Sequence, residues 1–175
     1  MKILARKTFI AFTVFCALSV CAMASDFVWR QATEKELESV IPARALVKKE
    51  RIETEIRTAS GVTNGQGKFI AGVVLITAGY AADGKYSHFF LTQVPIKVGE
   101  IKLNAGEYIF GSKRIDDDLL SVKFYVAATG KYLGSATAIK EIKGGAVRSL
   151  LISPLENGKG LVQIGRFFFA YEVMK

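Results

Sequence analysis

Residues 104–138, NAGEYIFGSKRIDDDLLSVKFYVAATGKYLGSATA, contain three stretches of strand-like sequence separated by two turns. Within residues 120–126 every second side chain is apolar, which places those side chains on one face of a strand and Tyr125 on the other. The three aspartates at 116–118 favour a turn over a strand, and Gly130 supplies a position where a positive φ is inexpensive. The stretch therefore predicts three successive antiparallel strands.

The same pattern of strands and turns continues on both sides of this stretch. Residues 51–58 alternate charged and β-branched or Thr side chains, which predicts a half-buried strand near a sheet edge. Residues 69–77 are apolar on both faces, which is typical of a central strand. The remaining segments are expected to form strands at 86–94, 96–103, 147–153 and 161–173, with a loop at 79–85. The chain is thus expected to be all-β, an antiparallel β-sandwich or, alternatively, a β-barrel.

One short helix is expected ahead of the strands. Thr33 followed by Glu36 matches a capping box, in which each residue satisfies a backbone N–H of the other. Pro42 cannot continue a helical hydrogen-bond ladder, so the helix should end at Ile41.

Residues 1–24 have the pattern of a signal peptide. Three basic residues precede an apolar run at 8–20, which is short for a membrane span. The Ala-Met-Ala sequence that ends at Ala24 predicts cleavage before Ser25, and therefore a secreted or periplasmic protein. Retention as an N-terminal anchor is one alternative, and a lipid anchor on Cys21 is another.

Cleavage at that point would leave a single domain at 25–175, with 21 basic and 16 acidic residues and a net charge of +5. This charge is compatible with attraction to an anionic cell surface, a polysaccharide or lipid head groups. It is too small to indicate a nucleic-acid partner, and export argues against one. Cys16 and Cys21 both precede the cleavage point, so the domain would lack disulfides and thiol chemistry.

Few residues suggest catalysis. His88 is the only histidine, and a lone histidine without cysteines cannot build a histidine-based zinc site. It could serve as a general base near a serine and a carboxylate, but no Gly-x-Ser-x-Gly elbow is present. The aspartates at 116–118 do not have the spacing of a calcium loop, and the glutamates fall at a helix start and a strand edge. We therefore expect no catalytic residue, no metal and no cofactor.

Two groups of residues are candidates for binding. Tyr125 and Tyr132 could stack on sugar rings, together with two further tyrosines, Tyr86 and Tyr108. A basic region includes Lys140, Lys143, Arg148, Lys159 and Arg166. Packing against neighbouring strands is the alternative for the tyrosines. Solvated turns are the alternative for the basic residues.

Two motifs resemble those of a known group of β-sandwiches. Residues 103–110 (LNAGEYIF) are similar to the Leu-x-x-Gly-x-Tyr-x-Phe turn and strand of transthyretin-like and carboxypeptidase-regulatory-like domains. Residues 69–75 (FIAGVVL) are similar to their early Ile-x-Gly-Val-x-Val strand. The resemblance implies a non-catalytic extracytoplasmic module and assigns no site residue.

The sequence therefore favours an exported, non-enzymatic binding or envelope-associated domain, whose partner would be an envelope component, a polysaccharide or a protein. A hydrolase that uses carboxylates or His88 is one alternative, and a barrel that carries a small apolar ligand is another. No transmembrane segment is expected after residue 24. Phe124 and Phe168 are both expected in the core, since the strand at 161–173 should be internal.

Overall fold

The computed structural model describes residues 28–141, 145–154 and 156–174. The predicted signal peptide, its cleavage point and Lys143 lie outside these residues. The described residues form thirteen strands and two helices: β1 (Arg30–Gln31), α1 (Glu34–Val40), β2 (Arg44–Val47), β3 (Glu50–Thr63), β4 (Phe69–Leu75), α2 (Gly79–Ala82), β5 (His88–Thr92), β6 (Ile96–Val98), β7 (Ile101–Leu103), β8 (Gly106–Arg114), β9 (Leu119–Val126), β10 (Tyr132–Lys140), β11 (Arg148–Ile152), β12 (Lys159–Gly165) and β13 (Phe167–Val173).

The strands form one antiparallel sheet that curls into a half-barrel. Its order is β1-β3-β4-β5-β8-β9-β10-β13-β12-β11, while β2 pairs with β3, and β6 pairs with both β7 and β13. The two ends of the curl approach each other: the backbone N–H of Ile152 in β11 donates to the Ser60 hydroxyl in β3 at 2.8 Å. The expected all-β fold with a short N-terminal helix is confirmed.

The three strands expected from residues 104–138 are β8, β9 and β10. Phe110 of β8 pairs with Phe124 of β9, and Val122 of β9 pairs with Ala136 of β10. The aspartates at 116–118 form an exposed hairpin turn. There the N–H of Asp118 donates to the Asp116 carboxylate at 2.8 Å, a local bond that favours the turn.

Helix α1 begins with the predicted capping box. The Glu36 N–H donates to the Thr33 hydroxyl at 3.3 Å, and the Thr33 N–H donates to the Glu36 carboxylate at 2.9 Å. The helix ends with Ile41 as its C-cap, as expected from Pro42. Leu37 and Ile41 are buried, so one side of this short helix is fixed by packing against the sheet.

Apolar side chains pack on both faces of the sheet. Inside the curl, the rings of Phe90, Phe110, Phe124 and Phe169 lie 5.3 to 6.3 Å apart between centroids, in tilted and edge-to-face contacts. On the outer face, a second apolar cluster fills the space under α1 and β2. The curl thus has a packed aromatic interior, with α1 and β2 covering part of its outside.

The prediction that Phe168 belongs to the core is wrong. Phe167 and Phe169 point into the curl and are 6% and 4% exposed, whereas Phe168 lies between them on the outer face and is only half-buried. Its cross-strand neighbour Ile139 is 60% exposed. The strand is internal in hydrogen bonding, but its outer face is not fully covered.

The single strand expected at 161–173 is instead a hairpin. Ile164 of β12 pairs with Phe167 of β13, so Gly165 and Arg166 form a two-residue turn. Gly165 adopts φ 62°, which an L side chain rarely tolerates and glycine adopts readily. The continuous apolar sequence on both sides conceals this turn.

Two other segments differ from expectation. Residues 96–103 form the hairpin β6–β7 rather than one strand, with Gly99 at φ 57° in the turn. Residues 79–85, expected as a loop, contain the single helical turn α2. The strand expected at 51–58 is longer and extends through all of β3.

Candidate functional site

Four tyrosines form a continuous row on the outer side of the sheet. Ring centroids are 4.9 Å apart from Tyr80 to Tyr86, 5.1 Å from Tyr86 to Tyr125, and 5.5 Å from Tyr125 to Tyr132. The contacts are tilted or edge-to-face, the arrangements that aromatic quadrupoles prefer. We call Tyr80, Tyr86, Tyr125 and Tyr132 the tyrosine row.

Strand alternation and hairpin register place two members of the row side by side. In β9 the side chain of Tyr125 points away from Phe124, whose ring lies inside the curl. The turn after β9 includes Gly130 at φ 68°, and its N–H donates to the Val126 carbonyl at 2.8 Å. Tyr132 then enters β10 directly opposite Tyr125.

The hairpin between β2 and β3 supplies charged groups to Tyr86, the buried member of the row, and to Tyr80, which is partly exposed at its end. Lys48 adopts φ 58° in this turn, its N–H donates to the Ala127 carbonyl at 2.7 Å, and its ammonium lies 5.6 Å from the Tyr86 ring centroid. The Tyr80 hydroxyl donates to the Glu50 carboxylate at 3.2 Å. These contacts fix one end of the row against the hairpin.

Exposure increases along the row toward β10. Tyr86 is 4% exposed, Tyr125 is half-buried, and Tyr132 is 52% exposed. Lys131 precedes Tyr132 and is exposed, and Lys123 lies two residues before Tyr125 on the same face. A ligand would therefore meet Tyr132 first, with cationic side chains beside it.

The phenol groups of Tyr80 and Tyr125 stay neutral at physiological pH, because the pKa of each is raised. Burial raises the pKa of Tyr125, the neighbouring Tyr86 and Tyr132 raise it further, and Lys85 opposes this rise. Burial also raises the pKa of Tyr80, assisted by the charge of Glu50 and its hydrogen bond, against the influence of Lys48. These two tyrosines thus offer apolar ring faces and hydroxyl donors rather than charge.

The basic candidates lie elsewhere. Lys140 is at the opposite end of β10 from Tyr132, about 26 Å away at roughly 3.3 Å per residue. Its ammonium donates to the Asp117 carbonyl at 3.1 Å and lies 3.2 Å from the Asp118 carboxylate, so it stabilises the hairpin turn. Arg148 is exposed at the start of β11, opposite Gly165. The structure does not bring these residues together with Tyr125 and Tyr132.

His88 lies inside the curl. Its ring stacks on Phe110 at 4.6 Å, Nδ1 lies 2.8 Å from the Ser87 hydroxyl, and Nε2 lies 3.4 Å from the Ser149 carbonyl. Burial lowers the pKa of His88 to about 4, although the carbonyl contact raises it slightly. The neutral imidazole is hydrogen-bonded to a hydroxyl and a carbonyl and packed among aromatic rings, which is the environment of a core histidine.

The sequence indicated three of the four members of the tyrosine row, Tyr86, Tyr125 and Tyr132. It grouped Tyr108 with the other tyrosines, but Tyr108 points to the interior side and its hydroxyl donates to the Asn104 carbonyl at 2.8 Å. It did not include Tyr80 or Lys48, which come from a helical turn and a hairpin turn that are distant in sequence from β9. Local periodicity carries no signal for contacts of this kind.

Comparisons with family models, curated proteins and solved structures give no match for this chain. None of the helices in the described ranges is both long enough and apolar enough to span a membrane. Among the described residues, no three His, Cys, Asp or Glu side chains are grouped so as to hold a metal ion.

Proposed function

We propose that this chain is an exported, non-enzymatic binding domain that attaches to an envelope polysaccharide through the tyrosine row. The observation that carries the proposal is the contiguity of four tyrosine rings that end at the half-exposed Tyr132. Aromatic faces bury the apolar faces of sugar rings, while phenol hydroxyls hydrogen-bond to sugar hydroxyls. The signal-peptide pattern of residues 1–24 supports this proposal, because export would bring the domain to a compartment where such polymers occur.

The charges beside the row favour an acidic polysaccharide. Lys123 lies on the same face of β9 as Tyr125, the exposed Lys131 directly precedes Tyr132, and Lys48 lies over the Tyr86 ring. The net charge of +5 from Ser25 onward adds long-range attraction toward an anionic polymer. A neutral polysaccharide would use the rings alone and bind more weakly.

Two observations favour binding over the alternative functions. Four phenylalanine rings pack against one another inside the curl, where a carrier of apolar molecules would need space for its ligand. His88 is 6% exposed, whereas a general base must reach the proton that it removes. The tyrosine row, by contrast, is accessible at one end.

The test uses the chain from Ser25 onward and affinity electrophoresis in gels that contain alginate, an acidic polysaccharide, or dextran, a neutral one. Alginate should retard the protein more strongly than dextran. Tyr132→Ala should weaken binding about tenfold, because it removes the most exposed ring of the row. Ile115→Ala is the matched control, since this residue is 58% exposed in the turn at the opposite end of β9 from Tyr125, and this variant should bind normally.

Equal retardation of Tyr132→Ala and the unaltered protein would contradict the proposed site. Turnover of esters or glycosides that is lost in a folded His88→Ala variant would instead support a hydrolase. A mature protein whose mass shows an N-terminus other than Ser25, or a lipid on Cys21, would overturn the proposed route of export.

A further inference from the structure

A second surface lies where α1 packs beside β3, apart from the tyrosine row. Two adjoining depressions of about 200 and 360 Å³ share Ile56 and Glu38 among their lining residues. Their apolar lining comes from α1, its C-cap, β3 and the segment after β4, namely Leu37, Ile41, Ile56, Ala59 and Ile76. We call this surface the edge groove.

The groove exposes large aliphatic side chains that the fold does not cover. Ile56 is 38% exposed and Ile76 is 55% exposed, while Ile41 below them is 4% exposed. Ile76 is held in place because its N–H donates to the Glu53 carbonyl at 2.8 Å. Two exposed isoleucines fixed beside a depression offer apolar area to a partner at little conformational cost.

The rim of the edge groove is acidic in a chain that is basic. Glu34, Glu38 and Glu53 line it. Glu53 lies 3.7 Å from the Arg44 guanidinium, whereas neither Glu34 nor Glu38 forms an ion pair within the described residues. The one cation in the lining, Arg57, is bound by Glu55 at 2.9 and 3.0 Å. The local charge therefore favours a cationic partner and disfavours the acidic polymer proposed for the tyrosine row.

Part of the outer edge of β3 is not paired with any strand of the described residues. Pairing with β2 ends at Glu53, and pairing with β1 begins at Val62. Between them, the register with β4 shifts from Glu55 to Ser60. The bulge is held by the Thr58 hydroxyl, which donates to the Glu55 carbonyl at 2.7 Å and accepts from the Val74 N–H at 3.0 Å. No strand of the described ranges pairs with the outer edge of residues 56–59.

We propose that the edge groove binds an extended segment of a partner protein in which aliphatic and basic residues alternate. The segment would add as a strand along residues 56–59, where main-chain hydrogen bonds give affinity. Its aliphatic side chains would cover Ile56 and Ile76, and its lysines or arginines would face Glu34, Glu38 and Glu53. This site is separate from the tyrosine row, so either can fail without the other.

The test is fluorescence anisotropy with the chain from Ser25 onward and labelled eight-residue peptides. A peptide of alternating Lys and Val should bind, and a peptide of alternating Glu and Val should bind at least about tenfold more weakly because of charge repulsion at the rim. A third peptide with the four lysines and four valines in two blocks controls for charge without alternation, and it should also bind more weakly.

Two variants of the protein locate the site. Ile76→Asp should weaken binding of the Lys-Val peptide about tenfold or more, and Glu38→Lys should do the same. Ile139→Asp is the matched control, because Ile139 is similarly exposed, at 60%, on a distant part of the sheet. All three positions are at the surface, and circular dichroism should show unchanged folding.

Equal affinity for the three peptides, or equal loss in Ile76→Asp and Ile139→Asp, would overturn the proposal. A concentration-dependent dimer in sedimentation that Ile76→Asp abolishes would assign the groove to a second copy of this chain, and that would also overturn it. Absence of peptide binding at millimolar concentration would indicate that the bulge and charges only protect the edge from aggregation.

Discussion

His88 is the residue whose burial has the clearest consequence for stability. Its pKa is lowered to about 4 in the folded protein, compared with an ordinary value near 6.5 in the unfolded chain. Between these values the unfolded state binds a proton that the folded state does not, so stability falls as the pH falls from about 6.5 to 4. The total loss amounts to about 3 kcal/mol, since each pKa unit corresponds to about 1.4 kcal/mol.

Equilibrium urea unfolding at several pH values would measure this loss. The interval from pH 6.5 to 5.5 is the part most specific to His88, because carboxylates with ordinary pKa values titrate mainly below it. The pKa of Glu36 is lowered to about 2 in the folded protein by Arg30 and Thr33, so its stabilising contribution is lost only as the pH approaches its ordinary value of 4.5 and falls below it. His88→Gln cannot gain a charge, so its stability should change little over this interval. The histidine interpretation is contradicted if the variant retains the full pH dependence.

At the scale of the element, α1 depends on its first turn more than on its length. Seven residues are too few for an isolated helix, so capping and packing must supply its stability. The Thr33 hydroxyl accepts from Glu36, whose carboxylate also binds Arg30 of β1 at 2.6 Å. The cap therefore ties the helix to the adjoining strand as well as closing its own end.

Thr33→Ala should destabilise the protein by about 1 kcal/mol, the typical effect of losing an N-cap side chain. Ser39→Ala is the control in the same helix, because the Ser39 hydroxyl only donates to the Glu36 carbonyl at 2.6 Å and is exposed. Its effect on the free energy of unfolding should be smaller. Equal losses in the two variants would show that the capping box contributes nothing beyond a surface hydroxyl.

The curvature of the whole sheet decides which aromatic residues are buried. Phe124 and Phe168 both lie in internal strands, yet Phe124 is 0% exposed inside the curl and Phe168 is half-buried on the outer face. The outer cluster under α1 and β2 covers β4, β5 and β8, whereas Ile139 beside Phe168 is largely exposed. The two faces of β13 therefore differ in cover, although Phe167, Phe168 and Phe169 are the same residue type.

Phe124→Ala should destabilise the protein by about 3–5 kcal/mol, because the deletion leaves a cavity among packed rings. Phe168→Ala should cost less than about half as much, since its ring already contacts solvent and the site can relax. Equilibrium unfolding in urea measures both. If the two variants lost equal stability, the outer face would be as well covered as the interior.

The sequence by itself determined the strands with regular alternation, the aspartate hairpin and the capped helix. Each of these depends on neighbours within a few residues: alternation in β9, turn preference at Asp116–Asp118, and the Thr33–Glu36 pair. It also placed Tyr125 opposite to the core-facing Phe124. Local signals of this kind are fixed by backbone geometry and remain readable without the fold.

Only the tertiary structure decided how those pieces combine. The turn at Gly165 was concealed because the residues on both sides of it are apolar, so the sequence has no change of pattern to mark where β12 ends and β13 begins. The pairing of β10 with β13 and the contact of β11 with Ser60 join residues that are far apart in sequence. The partial exposure of Phe168 depends on these long-range contacts. The same long-range packing brought Tyr80 and Lys48 to Tyr86 and opened the groove beside Ile56. Burial of a side chain therefore depends on the whole curled sheet, because each face of a strand is covered by segments that lie elsewhere in the sequence.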